Sequence, residues 1–313
     1  MRYALFATLC CFAVVGAGCG GTLKANPEAS FTVEPQKTET QVSVATLPKT
    51  STQGGITISR SDKASFAELM TRIGAQGEVA FQSLDGSAPQ TVGSFAAPFA
   101  WSSIKPVILA QLLKDVGGET QLSAAQRANA QAALTTSDNA AAMALFNDVA
   151  SQHGGADGAA AAMTQLLRQA GDSETEVSSV GRDGFSPYGQ TLWAPSAQAR
   201  FVSSLARGCL LTAGSTDYVL GLMSEVTASQ RWGFGVLPSV TVQKPGWGPD
   251  PDGSYEVRQL GLIESNSGSP IAFGAAVRGA GGSFAAGTSA LTQVARWADG
   301  LSLKGASRAS CTN

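Results

Sequence analysis

Residues 102–118 read SSIKPVILAQLLKDVGG. The tetrad Ser102-Ser103-Ile104-Lys105 leads into an apolar run, Val107, Ile108, Leu109, Leu112 and Leu113, which Gly117-Gly118 stops. That pattern is a helix, and the tetrad stands at its start. Positions i and i+3 share a helix face, so the Lys105 amine can reach the Ser102 hydroxyl and, when unprotonated, take its proton. The free backbone amides of a helix N-terminus favour the negative charge that develops during such an attack. Pro106 follows inside the first turns; its missing N–H leaves the Ser102 carbonyl without the usual helical partner.

Two further short elements carry compatible chemistry. Ser137-Asp138-Asn139 lies between two helical segments, as a tight turn does. Its hydroxyl can hand a proton to a leaving nitrogen, and the Asn139 amide can hold a substrate amide. By itself the triplet also reads as an ordinary helix N-cap. Lys244-Pro245-Gly246-Trp247 ends the extended run Val240–Gln243. There Lys244 can steer an anionic substrate and polarise Ser137. Gly246 admits a substrate backbone at close range. The Trp247 N–H can complete an oxyanion hole with the Ser102 N–H.

Taken in order, Ser-x-x-Lys, Ser-Asp-Asn and Lys-x-Gly resemble the signature of the class A β-lactamase and penicillin-binding-protein superfamily. The flanks Leu134–Ala141, Gly189–Trp193, Gln230–Gly233 and Lys244–Gly248 are also similar to that family, and the likeness spans roughly residues 56–301. The resemblance implies a serine nucleophile at Ser102 with Lys105 beside it and Ser137 as proton carrier. Asn139, Lys244, Gly246 and Trp247 would then bind the substrate. It implies β-lactams or D-amino-acid cell-wall peptides as substrates, and no cofactor or metal.

The chain departs from the pattern in three places. Ser137 follows Ser102 by 35 residues, a shorter interval than class A lactamases have. Pro245 replaces the threonine whose hydroxyl binds a substrate carboxylate. No Glu-x-x-Leu-Asn segment supplies the base that activates a deacylating water. Glu174 and Glu176 stand in the right loop region and are the candidate bases, although they read more readily as solvated loop charges.

The surrounding chain predicts an α/β (α+β) fold. A helix over Lys63–Ile73 precedes strands at Glu78–Leu84 and Thr91–Phe95, joined by Asp85-Gly86. Helices follow from Ser102, over Ser123–Leu134, Ala140–Val149, Gly158–Ala170, Ser196–Leu205 and Asp217–Val226, with a polar loop over Gly171–Gln190. Strands at Val240–Lys244, Glu256–Ile263 and Ile271–Val277 and a helix over Ala290–Leu301 close the chain. The expected architecture is a mostly antiparallel five-stranded sheet flanked by helices, with an all-helical insertion over about residues 100–235. The hydrolase-like domain spans 56–313.

Ahead of it, Arg2 and the apolar stretch Ala4–Val15 read as an export signal over residues 1–18, too short to span a bilayer comfortably. The small residues before Cys19 look like a bacterial lipobox, with ordinary cleavage near Ala17 as the alternative. Residues 19–55 are rich in Thr, Ser, Pro, Gln and Lys and read as a flexible tether from a lipidated Cys19. This predicts an exported lipoprotein of the cell envelope, anchored to a membrane and monomeric. Once Cys10 and Cys11 leave with the signal, Cys209 and Cys311 remain, either as a disulfide or as two thiols.

The 313 residues are 43% hydrophobic and 14% charged, with net charge -2 and no basic cluster, which disfavours a nucleic-acid partner. His153 is the one histidine, so a Ser-His-Asp triad or a histidine-built metal site is not expected. Trp193 and Trp232 read as core. Gln190 reads as site floor or loop, and Arg258 as a cleft-facing or an exposed strand residue. The leading function is a serine acyl hydrolase; the alternative is a binding or scaffold lipoprotein that keeps the fold with little turnover.

Overall fold

The computed structural model describes residues 55–96, 98–182 and 184–311. The expected export segment, Cys19 and the tether as far as residue 54 lie outside the described residues. Helix α1 (Arg60–Ile73) starts one turn earlier than its apolar face suggests, because Ser59 caps it. The Ser59 hydroxyl accepts from the Asp62 N–H at 3.1 Å, and the Asp62 carboxylate accepts from the Ser59 N–H at 3.0 Å. Gly74, in the left-handed region at φ 60°, ends it.

The sheet comprises β1 (Gln76–Ser83), β2 (Gln90–Ser94), β3 (Val240–Pro249), β4 (Tyr255–Glu264) and β5 (Pro270–Arg278). Every pairing is antiparallel, in the order β2-β1-β5-β4-β3. One face packs Val79, Phe81, Val257 and Phe273 against Phe66 and Leu69 of α1 and Leu291 and Val294 of the last helix, α8 (Phe284–Asp299). The other face carries the helical insertion. It holds α2 (Lys105–Val116), α3 (Ala124–Gln131), α4 (Asn139–Gln152), α5 (Ala156–Gln169), α6 (Pro195–Ala206) and α7 (Ala213–Ser224). Its core runs through Ile108, Leu112, Leu145, Phe146, Leu167 and Phe201 to Leu260 on the sheet. The antiparallel five-stranded fold with a helical subdomain is therefore as the residue pattern predicts.

Three local differences bear on the site. Strand β3 does not stop at Lys244 but continues through Pro245, Gly246, Trp247 and Gly248 to Pro249. It is an edge strand, where a proline need not break a ladder bond, and its two glycines permit close packing rather than a turn. Helix α3 does not reach Leu134 as an α-helix but widens into a π-turn over Ala132–Thr136. There the hydroxyls of Thr135 and Thr136 back-bond to the carbonyls of Gln131 and Ala132, each at 2.8 Å. Finally, Pro106 leaves no carbonyl orphaned at the start of α2. The chain enters through a 3-10 turn, Trp101–Ile104, in which the Lys105 N–H bonds the Ser102 carbonyl. Proline at the second helical position is then harmless.

The sulfur atoms of Cys209 and Cys311 lie 2.08 Å apart, a bonded distance, which ties the C-terminal tail to the turn after α6. Arg207 adds bonds to the Ala309 and Ser310 carbonyls, and the Ala309 N–H donates to the Leu84 carbonyl at 2.9 Å.

Candidate active site

Ser102 is set by a loop fastened from behind. The Ala100 N–H bonds the Thr191 carbonyl at 2.6 Å, and the Trp193 N–H bonds the Pro98 carbonyl at 2.9 Å. The Arg258 guanidinium, fully buried on β4, donates to the carbonyls of Phe99 and Trp193. Arg258 thus neither faces the cleft nor is exposed; its fork joins two loop segments that sequence reading could not bring together. Glu256, two residues before it on the same strand face, lies 3.8 Å from Arg258 and is also buried. Burial pushes its pKa up to about 7 against the pull of Arg258. Trp101 then takes φ 47°, a left-handed conformation that costs a bulky residue on the order of 1–3 kcal/mol. The turn delivers Ser102, half-buried, to the wall of a cavity.

Lys105 is 1% exposed and Lys244 0% exposed, so both amines lie beneath the surface rather than in the lining of the cavity. The Lys105 Nζ donates to the Ser137 carbonyl at 2.7 Å, to Asn139 Oδ1 at 2.8 Å and to Ser137 Oγ at 3.3 Å. The Lys244 Nζ donates to Ser137 Oγ at 2.8 Å. Helix spacing points Lys105 at Ser102; the hydrogen bonds it makes among the described residues go instead to the Ser137–Asn139 turn. Desolvation brings the Lys105 pKa down to about 7, with the Asp138 charge opposing. Lys244 is lowered well below its ordinary value by desolvation first and by the Lys105 charge second.

The π-turn explains how Ser137 reaches both amines. It ends with Ser137 in the left-handed region, φ 61°, so that the chain reverses before α4. Asp138 caps α4, accepting from the Ala141 N–H at 2.7 Å, which places Asn139 in the first helical turn. Gln230 steadies the turn by donating to the Thr136 carbonyl at 2.7 Å.

The β3 residues divide by face. A Cβ at Gly246 would sit 2.7 Å from the Ser103 nitrogen and 3.0 Å from the Ser102 nitrogen. The close approach that this glycine permits is therefore the protein's own backbone, not a substrate's. A Cβ at Gly248 would collide with the Trp101 indole. The Trp247 ring packs at 6.0 Å from Trp232 and 5.4 Å from Phe284, on the α8 side of the sheet. Its ring thus packs on the face opposite Gly246 and Gly248, while Trp247 still borders the cavity.

The cavity holds about 640 Å³, with Ser102 and Asn139 on one side and Phe185, Ser186 and Tyr188 on the other. Glu174 and Glu176 do not line it. Glu174 borders a separate depression beside Arg200, and Glu176 pairs with Arg168. The candidate bases fail on position: the loop folds back against α5 before it reaches the cavity. What fills the loop's inner side is Tyr188, 1% exposed and tilted against Phe146 at 5.2 Å. Reading Gly171–Gln190 as polar surface missed it. The signal was a pair of aromatics, Phe185 and Tyr188, close together at the end of a mostly polar stretch. Gln190 accepts from the Arg182 Nε at 2.7 Å and braces the loop from outside the cavity. Trp193 is fully buried, and His153 lies 3.0 Å from Asp115 on the helical side.

The fold is similar to solved β-lactamases. The chromosome-encoded β-lactamase of Vibrio parahaemolyticus is 17% identical, with TM-score 0.57, over 75% of this chain and 96% of that one. TLA-3 extended-spectrum β-lactamase is 16% identical, with TM-score 0.62, over 76% and 97%. A β-lactamase from Burkholderia vietnamiensis is 22% identical, with TM-score 0.56, over 78% and 98%. No curated protein matches the chain. The model of the beta-lactamase enzyme family matches residues 119–298, which include the Ser137 and Lys244 elements and begin after Ser102. With more than half its length matched, the chain belongs to the beta-lactamase enzyme family.

Proposed function

We propose that the protein is a serine acyl hydrolase that forms an acyl-enzyme at Ser102 with β-lactams or peptidoglycan-type peptides. The observation that carries this reading is the sharing of Ser137 Oγ by two buried lysines beside a half-exposed serine. With a pKa about 7, Lys105 is partly neutral at physiological pH and can accept the Ser102 proton as Oγ attacks the carbonyl carbon. Ser137 passes a proton to the departing nitrogen and is resupplied from the lysine pair. The main-chain amides of Ser102 and Trp247 bind the oxyanion, and Asn139 orients the substrate amide. Deacylation has no help from Glu174 or Glu176, so the acyl-enzyme turns over slowly.

That slow step supports a second reading, a lipoprotein that captures its ligand with little turnover. In either case the chain is exported and held at a membrane through lipid on Cys19. A fluorescent penicillin followed by intact mass measurement tests the chemistry. A stoichiometric adduct absent from Ser102→Ala is expected. No adduct with penicillins, D-alanyl peptides or thioester probes leaves only the binding reading. Detergent phase partitioning of the full chain against Cys19→Ser tests the anchor.

A further inference from the structure

The cavity has a chemical character that the three motifs do not specify. Its walls mix aromatic rings (Trp101, Phe185, Tyr188) with uncharged polar groups (Ser102, Asn139, Ser186), and among the described residues no lysine or arginine lines it. Each nearby cation is committed elsewhere: Lys105 donates to the Ser137 carbonyl and to Asn139 Oδ1. Arg258 is spent on the Phe99 and Trp193 carbonyls. Arg182 stacks on the Phe99, Trp101 and Phe185 rings at 5.5, 5.5 and 4.8 Å while donating to Gln190 and to the Pro249 carbonyl. Lys244 is wholly buried on Ser137, and its neighbour Pro245 offers no hydroxyl. A ligand carboxylate drawn into this space would lose its water and gain no cationic partner, at heavy cost. Neutral polar atoms are better served. The buried Tyr188 hydroxyl has at most the neighbouring Ser186 side chain as a partner, and burial raises its pKa against that contact, so it stays an uncharged donor. The Arg182 stack also fixes Phe185 against Trp101, at 5.2 Å between ring centres, as a preformed aromatic wall.

We infer that, among acyl donors, the Ser102 cavity prefers uncharged esters or amides with an aromatic or bulky apolar acyl part, and that carboxylate-bearing lactams acylate Ser102 more slowly than such neutral donors. The inference rests on the acyl-enzyme reading for its chemistry, but its ligand preference is separable from it. In the transfer step Ser102 Oγ bonds the acyl carbon, the bond from that carbon to the leaving oxygen or nitrogen breaks, and the hydroxyl proton passes to Lys105 and on through Ser137 to the leaving atom.

The test uses matched p-nitrophenyl esters of acetic, phenylacetic and 4-carboxyphenylacetic acids. Adduct formation at Ser102 is followed by intact mass, and each rate is normalised to the ester's own hydroxide-catalysed hydrolysis. A second arm measures binding of N-benzyl phenylacetamide and N-benzyl succinamic acid to Ser102→Ala by calorimetry. We expect the phenylacetyl ester to acylate at least tenfold faster than the 4-carboxyphenylacetyl ester, and the neutral amide to bind at least tenfold tighter than the acid. An acid that reacts or binds as well as its neutral counterpart overturns the inference, as does failure of both ligands to bind. Absence of any adduct together with tighter binding of the neutral amide sustains the cavity assignment and sinks acylation alone.

Discussion

Lys105 and Lys244 converge on one oxygen: their Nζ atoms lie 3.3 and 2.8 Å from Ser137 Oγ, both out of solvent. Two ammonium groups so placed repel one another and each lacks hydration, so the pair loses a proton far more readily than two surface lysines. In the proposed mechanism that relationship makes Ser137 a relay between a basic amine and a structural one. It also makes the site a source of instability, which gives the first two predictions.

Acylation should follow the neutral form of Lys105. Its rate rises with pH through about 7 and levels off above. Single-turnover acylation of wild type between pH 5.5 and 9 reads this directly. Lys105→Arg, which stays protonated, should fall at least about a hundredfold, within the usual span of general-base catalysis. A flat profile would remove Lys105 from the role of base.

Stability should run the other way from function at Lys244. Between the lowered native pKa values of Lys105 and Lys244 and the ordinary lysine value, the unfolded chain binds more protons than the native one. Stability therefore rises with pH above about 7, the value for Lys105, toward pH 10. Lys244→Met should flatten part of that slope and raise stability at pH 7 by about 1–3 kcal/mol, while abolishing acylation. Urea midpoints for the two proteins from pH 6.5 to 9.5 check it.

Glu256 gives the opposite slope in an acid window. Its carboxyl holds a proton in the native state up to about pH 7, whereas the unfolded chain releases it near 4.5, so stability falls as pH rises between those values. The facing charge is Arg258, which also interacts with Glu78, itself raised by burial and acting in the same direction. Glu256→Gln should remove most of the slope. Arg258→Met should cost about 3–5 kcal/mol, since it strands Glu256 and frees the Phe99 and Trp193 carbonyls. An unchanged thermal midpoint in Arg258→Met would refute the brace behind Ser102.

Gly246→Ala tests the contact between strand and helix start. The added methyl must displace the backbone at Ser102 and Ser103, so a loss of about 1–3 kcal/mol is expected. Acylation should suffer disproportionately, falling further than the folded fraction does. Equal losses would mean that the turn carrying Ser102 tolerates the shift.

Removing the tail bond is a test of stability alone. Cys209→Ser with Cys311→Ser opens a link between positions 102 residues apart. Chain-entropy arguments put the loss at up to about 4.7 kcal/mol, and commonly nearer 2–4. Denaturant curves should show it, with acylation at low temperature little changed, because neither cysteine approaches the cavity.

The sequence by itself determined the alternation of strands and helices, the antiparallel sheet with its helical insertion, and the order of the three motifs. Those features rest on local periodicity and on residue types that carry their chemistry wherever the chain places them. It also showed what was missing, the threonine at Pro245 and the glutamate motif in the loop. Tertiary structure decided which partners each group finds. Lys105 bonds Ser137 and Asn139 rather than Ser102 because a π-turn and a left-handed Ser137 carry that hydroxyl to it. Arg258 stays out of the cleft because Phe99 and Trp193, 94 residues apart in the numbering, meet over it. Glu174 and Glu176 are excluded and Tyr188 admitted because loop path, not composition, sets which side chains enter a cavity. Burial and long-range contact have no period in the sequence, and they decide both the lysine protonation and the shape of the space beside Ser102.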